Sequence, residues 1–273
     1  MDKGMGNIGF IGAGNMATAI VKGLLSSGHY ESGQILTADC REEQLNRISE
    51  QFGIKCCLDN REIVKESATI VLSVKPQSIR EVLEGIRGEV REDHLVISIA
   101  AGIPLKMIHE IIGRELPLIR VMPNTPALIQ KSVSALAAGE WASPEHMETA
   151  RGIFDAVGET VIVEEDMMDA VTAISGSGPG YVFKIMECFV EAGESLKFDR
   201  DTALQLVIQT FLGAASLAKA SDKSLSQLRE MVTSPGGTTA AGLAVFEDRG
   251  LSEIIRDVAK AAYERGVELG KNY

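Results

Sequence analysis

Runs of four or five apolar or β-branched residues recur through the first half of the chain, at Ile8–Ile11, Ile35–Ala38, 70–74, 95–99 and 118–121. Segments with helical spacing of apolar positions lie between them, among them Glu42–Phe52 and 78–86. Strands that are apolar throughout must be covered on both faces. The alternation therefore predicts an α/β domain with a doubly wound, mostly parallel sheet. Two further runs, 132–137 and 160–163, flank a helical stretch at 144–157 and extend the same sheet. Beyond residue 163 the strand pattern stops. Helical spacing takes over at 166–174, 180–194, 199–220, 224–232, 239–248 and 252–269, with N-terminal caps available at Asp199, Ser224 and Ser252. Two domains follow, a sheet domain over 1–163 and an all-helical domain over 164–273.

The helix expected over 199–220 is apolar at Ala203, Leu206, Val207, Phe211, Ala214 and Ala215, and its neighbours are rich in Ala and Gly. So apolar a helical domain needs a covering surface, which predicts that two copies associate through it. Composition narrows the remaining partners. A net charge of −11 argues against nucleic acid and against anionic membrane surfaces, because both need clustered Lys and Arg. The apolar stretch from Ile8 to Leu25 is interrupted by Gly12, Gly14, Asn15 and Lys22, so it is neither a signal peptide nor a membrane span. The four cysteines, Cys40, Cys56, Cys57 and Cys188, form no metal-binding or disulfide spacing with the four histidines. The expectation is a soluble cytoplasmic protein with no metal.

Chemistry begins at Gly12-Ala13-Gly14-Asn15-Met16-Ala17, directly after the first strand and directly before a helix. In that context G-x-G-x-x-G/A is the dinucleotide fingerprint of a Rossmann domain, although the same residues also suit a merely tight turn. Gly12 permits the turn, Gly14 lets the backbone approach a pyrophosphate, and the helix N-terminus supplies N–H donors. The second strand ends at Asp39, followed by Cys40 and Arg41. The acid would bind the ribose hydroxyls of NAD and the arginine the 2′-phosphate of NADP; both are equally readable as solvated loop charges. Ser73-Val74-Lys75-Pro76 and Ala100-Ala101-Gly102 also follow strands, at the sheet end where ligands bind. Asn124, in a stretch stiffened by Pro123 and Pro126, is placed to read a carboxamide or simply to build a rigid turn.

In the helical domain, Ser234-Pro235-Gly236-Gly237-Thr238-Thr239 opens a helix with successive N–H groups and hydroxyls, which suits a carboxylate. No His or Cys has the setting of a nucleophile, and hydride transfer needs positioning more than acid–base groups.

The segments 9–17, 73–76, 98–102, 120–127, 169–179 and 234–239 resemble those of pyrroline-5-carboxylate reductases, in order and over nearly the whole chain. The resemblance implies a Rossmann domain followed by a helical dimerisation domain, in a homodimer and in some members a decamer. It implies that NADPH, or alternatively NADH, contacts Gly12 to Met16, Asn60, Ser73 to Pro76, Ala100 and Ala101. The carboxylate of 1-pyrroline-5-carboxylate would lie on the backbone of Gly236 to Thr238, beside Ser234, with the Thr239 hydroxyl at the ring nitrogen as the catalytic contact. Reduction of the imine would yield L-proline. Two positions depart from the family pattern: Gly180 replaces the usual Ala, and Cys40 stands where an Arg is frequent, with Arg41 shifted by one. Gly176 to Gly180 followed by Lys184 also resembles the loop and catalytic lysine of β-hydroxyacid dehydrogenases. Those enzymes want Asn where Cys188 stands, so Lys184 reads as a helix-surface residue. A non-catalytic dinucleotide sensor is the third alternative.

Overall fold

A computed structural model describes residues 6–271 of the chain. Its first elements are β1 (Ile8–Ile11), α1 (Asn15–Ser26), β2 (Ile35–Ala38), α2 (Glu42–Phe52), β3 (Lys55–Cys57) and α3 (Asn60–Glu66). They continue with β4 (Thr69–Leu72), α4 (Ile79–Ile86), β5 (Leu95–Ser98), α5 (Leu105–Ile112) and β6 (Leu118–Met122). Next come β7 (Ser132–Ala138), α6 (Pro144–Asp155) and β8 (Gly158–Ile162). Helices follow: α7 (Met168–Val171), α8 (Gly178–Ser195), α9 (Arg200–Ala220), α10 (Leu225–Met231), α11 (Thr238–Asp248) and α12 (Leu251–Lys271).

The strands form one sheet in the order β3-β2-β1-β4-β5-β6-β7-β8. Neighbours pair in parallel, except for the antiparallel pair β6 and β7. From β1 the chain winds outward to β3, then returns to β4 and winds the other way. That reversal leaves a crevice beyond the carboxyl ends of β1 and β4. β1, β2, β4 and β5 are buried along their whole length, as continuous apolar runs require. Phe10 and Ile8 pack with residues of α1, α2 and α6, and Ile11, Ile70 and Leu72 with those of α3, α4 and α5. Each such side chain contributes roughly 1.5–3 kcal/mol of burial. α3 lies so close to β1 that a Cβ on Gly9 would collide with Ile63 and Ser67.

The apolar pattern singles out neither β3 nor α5. β3 has three residues, two of them half-buried, which is too few to show a period. Of the three expected caps, Asp199 accepts from the Thr202 N–H and Ser224 from the Gln227 N–H. Ser252 instead falls inside α12, which starts one residue after Gly250 turns the chain at φ +66.

The chain divides into two compact units, one running to Ser177 and resuming at Ala262, the other spanning Gly178 to Ala261. Strands do end at Ile162, beside the expected division at 163/164, yet the segment that follows stays with the sheet. Met168 is fully buried against Ala135 and Ala137 of β7. The single helix expected over 166–174 is broken: α7 gives way to a π-helical turn at Thr172–Gly176, closed by Ser177 N–H donating to the Thr172 carbonyl at 2.8 Å.

In the second unit α8 and α9 meet where Gly193 approaches Ala203, and Phe189 packs edge-to-face on Phe211 at 5.8 Å. Much of their apolar surface stays outside. Phe183, Leu206, Ile208, Leu212 and Leu217 are between 47% and 59% exposed. α9 is long and apolar enough to cross a membrane by length and composition alone, and only 6% of its apolar window is buried within the chain. A helix apolar on all sides is stable in water only when something covers it.

His94, in the turn before β5, is fully buried; Nδ1 accepts the Arg91 N–H at 3.1 Å and Nε2 has no partner. Burial pushes its pKa below the ordinary histidine value, the Arg91 charge adds to that, and Asp93 opposes it. The unfolded chain therefore takes up this proton first, near pH 6.5, and stability falls as pH drops below that value. Urea unfolding between pH 7.5 and 5 should lose up to about 1.4 kcal/mol per pH unit from this proton. His94→Gln should flatten that slope; an unchanged slope would assign it to other groups.

Candidate functional site

The turn after β1 lies at the point where the winding reverses. Gly12 has φ +100, and a Cβ on it would stand 2.8 Å from the Ser73 carbonyl oxygen, so only glycine fits. Four hydrogen bonds hold the turn. Gly12 N–H donates to the Ala38 carbonyl at 2.7 Å, and the Ser73 hydroxyl donates to the Gly12 carbonyl at 2.6 Å. Ala13 N–H donates to Asp39 Oδ2 at 2.9 Å, and Gln44 Nε2 to the Ala13 carbonyl at 2.6 Å. Gly14 differs from Gly12. Its φ is −70, it caps α1 through its backbone alone, and a Cβ on it would meet nothing within 4 Å. α1 has neither a side-chain cap nor an acid in its first turn, so its leading N–H groups are left for an anion.

The crevice measures about 1310 Å³, larger than the ~300–1,000 Å³ of a drug-sized pocket. Gly12, Gly14, Asn15 and Met16 line it, with Asp39 and Arg41 at the end of β2 and Asn60 at the start of α3. Ser73, Val74, Lys75 and Pro76 follow β4, and Ala100 and Ala101 follow β5. Ala13 is fully buried and acts through its backbone. The structure adds lining residues to which the sequence gives no cofactor role: Gln44, Asp59, Arg61, Met122 and Gly176. Asp59 and Arg61 follow β3, and without that strand nothing placed them at the sheet's carboxyl edge.

Asp39 is buried, and both its oxygens are engaged. Oδ2 takes the Ala13 N–H, while Oδ1 takes Arg41 N–H at 3.0 Å and Arg41 Nε at 3.0 Å. Burial pushes the carboxyl up, but the Arg41 side chain and the two backbone N–H groups outweigh it and hold it below the usual range. It anchors the glycine turn and also lines the crevice. Arg41 remains 63% exposed along its side chain, and with Arg61 and Lys75 it gives the crevice three cations. Asn124 also lines the crevice, and its amide is held by the protein as well: Nδ2 donates to the Ser175 carbonyl at 3.1 Å and Oδ1 accepts from Ser132 Oγ and Val133 N–H.

The second unit carries the other loop. Gly237 N–H donates to the Ser234 carbonyl at 2.9 Å, with Pro235 second and Gly236 third at φ +70, the arrangement of a type II turn. A Cβ on Gly237 would collide with Ser234 Oγ. The turn uses the Gly237 N–H, one of the three expected to hold a carboxylate, and leaves those of Gly236 and Thr238. α11 is capped by Gly237 without any side chain, so neither the Thr238 nor the exposed Thr239 hydroxyl serves as a cap. Lys184 lies on the surface of α8, paired with Glu187 at 3.2 Å and 67% exposed along its side chain, as a surface residue should be.

Residues 165–269 match the family model described as pyrroline-5-carboxylate reductase dimerisation, and residues 7–102 that of NADP oxidoreductase coenzyme F420-dependent. The chain is 40% identical over 264 residues to the pyrroline-5-carboxylate reductase of Methanosarcina acetivorans, covering 97% of this chain and 98% of that protein. A solved pyrroline-5-carboxylate reductase from Coxiella burnetii matches with a TM-score of 0.93 at 38% identity, over 97% of this chain and 98% of that one. The Plasmodium falciparum pyrroline carboxylate reductase solved with NADP bound matches with a TM-score of 0.87 at 28% identity, over 98% and 100%. The exposed apolar faces of α8 and α9 fall within the region that matches the dimerisation model, which supports oligomerisation. Fold, both loops and full-length likeness converge: the chain belongs to the pyrroline-5-carboxylate reductase family.

Proposed function

We propose that the protein reduces 1-pyrroline-5-carboxylate to L-proline with NADPH, the last step of proline biosynthesis, as an NAD(P)-dependent oxidoreductase acting on a CH–NH bond. The observation that carries the reading is Gly14. The fold itself does not require glycine there, since a Cβ would point into open space at the helix N-terminus. A bulky group that must approach that backbone explains it. Gly12, Gly14, Asn15 and Met16 would hold the pyrophosphate, Arg41 and Asn60 the 2′-phosphate, and Ser73 to Pro76 with Ala100 and Ala101 the remainder of the cofactor. A bound nicotinamide supplies the hydride. NADH would lack the charge that Arg41 is placed to meet.

The substrate is a ring bearing a carboxylate and an imine. The N–H groups of Gly236 and Thr238, with the Ser234 and Thr238 hydroxyls, hold the carboxylate, and the Thr239 hydroxyl hydrogen-bonds the ring nitrogen to fix which carbon is attacked. The functional division remains at 163/164, a Rossmann cofactor domain and a helical substrate and dimerisation domain. The exposed apolar faces of α8 and α9 support a homodimer; a decamer of such dimers, working in the cytoplasm, is the assembly proposed with it.

Gly14→Val should still fold and should raise the NADPH Kd at least tenfold, about 1.4 kcal/mol; unchanged affinity of the folded variant in titrations would remove the pyrophosphate from this turn. Asp39→Asn should weaken NADPH and NADH alike, roughly tenfold each, because it loosens the turn. Arg41→Ala should weaken NADPH alone by a similar factor. Equal losses for both cofactors in Arg41→Ala would mean that it meets no 2′-phosphate. In steady-state assays the wild type should oxidise NADPH with pyrroline-5-carboxylate and not with a 3-oxoacid semialdehyde. Thr239→Ala should lower kcat/KM about 5–150-fold at constant melting temperature. Cofactor binding without imine turnover in the wild type would leave only the sensor.

A further inference from the structure

Arg120, near the carboxyl end of β6, is buried, with 7% of its surface exposed, and does not line the crevice. One guanidinium nitrogen lies 3.7 Å from Glu165 Oε1 and the other 3.6 Å from Asp169 Oδ1. Both acids belong to the segment between β8 and α8, far from Arg120 in sequence. Burial presses the Arg120 pKa down, and the two carboxylates oppose that.

Glu165 has a second task. Its Oε1 accepts the N–H of Leu105, the first residue of α5, at 2.6 Å. α5 is preceded by Pro104 and has no side-chain cap of its own. One carboxylate therefore ties Arg120 to the helix that begins directly after the 100–102 loop. At its far end the same segment is held again, where Asn124 Nδ2 reaches the Ser175 carbonyl at 3.1 Å. Between the two ties the chain passes through the π-helical turn, a geometry that costs helix stability and is frequent where function requires it. The segment then reaches Gly176, which lines the crevice beside Met122. The tip of the Met122 side chain lies against Gly176, 2.5 Å from where a Cβ would stand.

We infer that Arg120 is a positioning residue: through Glu165 and Asp169 it sets where Gly176 and the 100–102 loop stand at one end of the crevice, and so how the reacting ring of the cofactor is held. The inference rests on the cofactor reading of the crevice given above. Without the guanidinium, two partly buried carboxylates four residues apart would face each other and repel, moving the segment outward. A planar fork can meet both acids at once, which the point charge of a lysine cannot.

Asp169→Asn keeps the shape and removes one of the two attractions. In this variant amide hydrogen exchange over residues 172–177 should rise about tenfold. kcat for imine reduction should fall about tenfold, with the KM for NADPH within about twofold and the melting temperature little changed. Arg120→Lys should lower kcat in the same way, since its single point charge cannot meet both acids. Unchanged exchange over 172–177 in Asp169→Asn overturns the inference. So does a lower melting temperature with kcat per folded enzyme unaltered. A wild type that binds NADPH but reduces no imine would instead sink the function reading, while the exchange data would still judge the role of Arg120.

Discussion

The hydrogen bond from Ala13 N–H to the Asp39 carboxylate joins the turn after β1 to the end of β2, and the working end of the sheet is built around it. A turn of Gly-Ala-Gly has little side chain with which to hold itself, so its conformation must be imposed from outside. The carboxylate does this from a buried position, where a charge is stable only when several donors surround it. Ala13 and Arg41 supply those donors, and the Arg41 guanidinium offsets the charge. With the Gly12 bonds to Ala38 and Ser73, this contact determines where α1 starts and in which direction its leading N–H groups point. The openness around Gly14 has meaning only because everything next to it is held.

The helical unit is constrained differently. α8 and α9 bury little within their own chain and expose large apolar side chains, in a region that matches a dimerisation model. The turn in the Ser234 to Thr239 loop is local: Pro235 and Gly236 impose it, and the Ser234–Gly237 hydrogen bond closes it.

The parts of the site legible in the sequence are those whose job is done by backbone. Gly12, Gly14 and the Ser-Pro-Gly-Gly-Thr-Thr loop announce themselves because few residue types can adopt their conformations or approach a ligand so closely. Side chains with several available partners were harder to read. Asp39 and Asn124 line the crevice where the expectation puts a cofactor, and each also bonds protein groups within 3.3 Å, a second task that residue type alone does not reveal. Arg61 and Asp59 escaped notice with β3, whose three residues carry no period.

The sequence by itself determined the succession of strands and helices, the glycine turn at the first crossover and the change to an all-helical second half. These follow from residue type at short range: continuous apolar runs need cover on both faces, and glycine alone tolerates φ near +100. Only the tertiary structure decided that the segment after β8 packs back on the sheet, that Glu165 closes a helix sixty residues earlier, and that Arg120 lies between two acids. Such pairings depend on which distant groups the topology brings together. A buried charge takes whichever partner is within reach, and reach is a property of the folded chain.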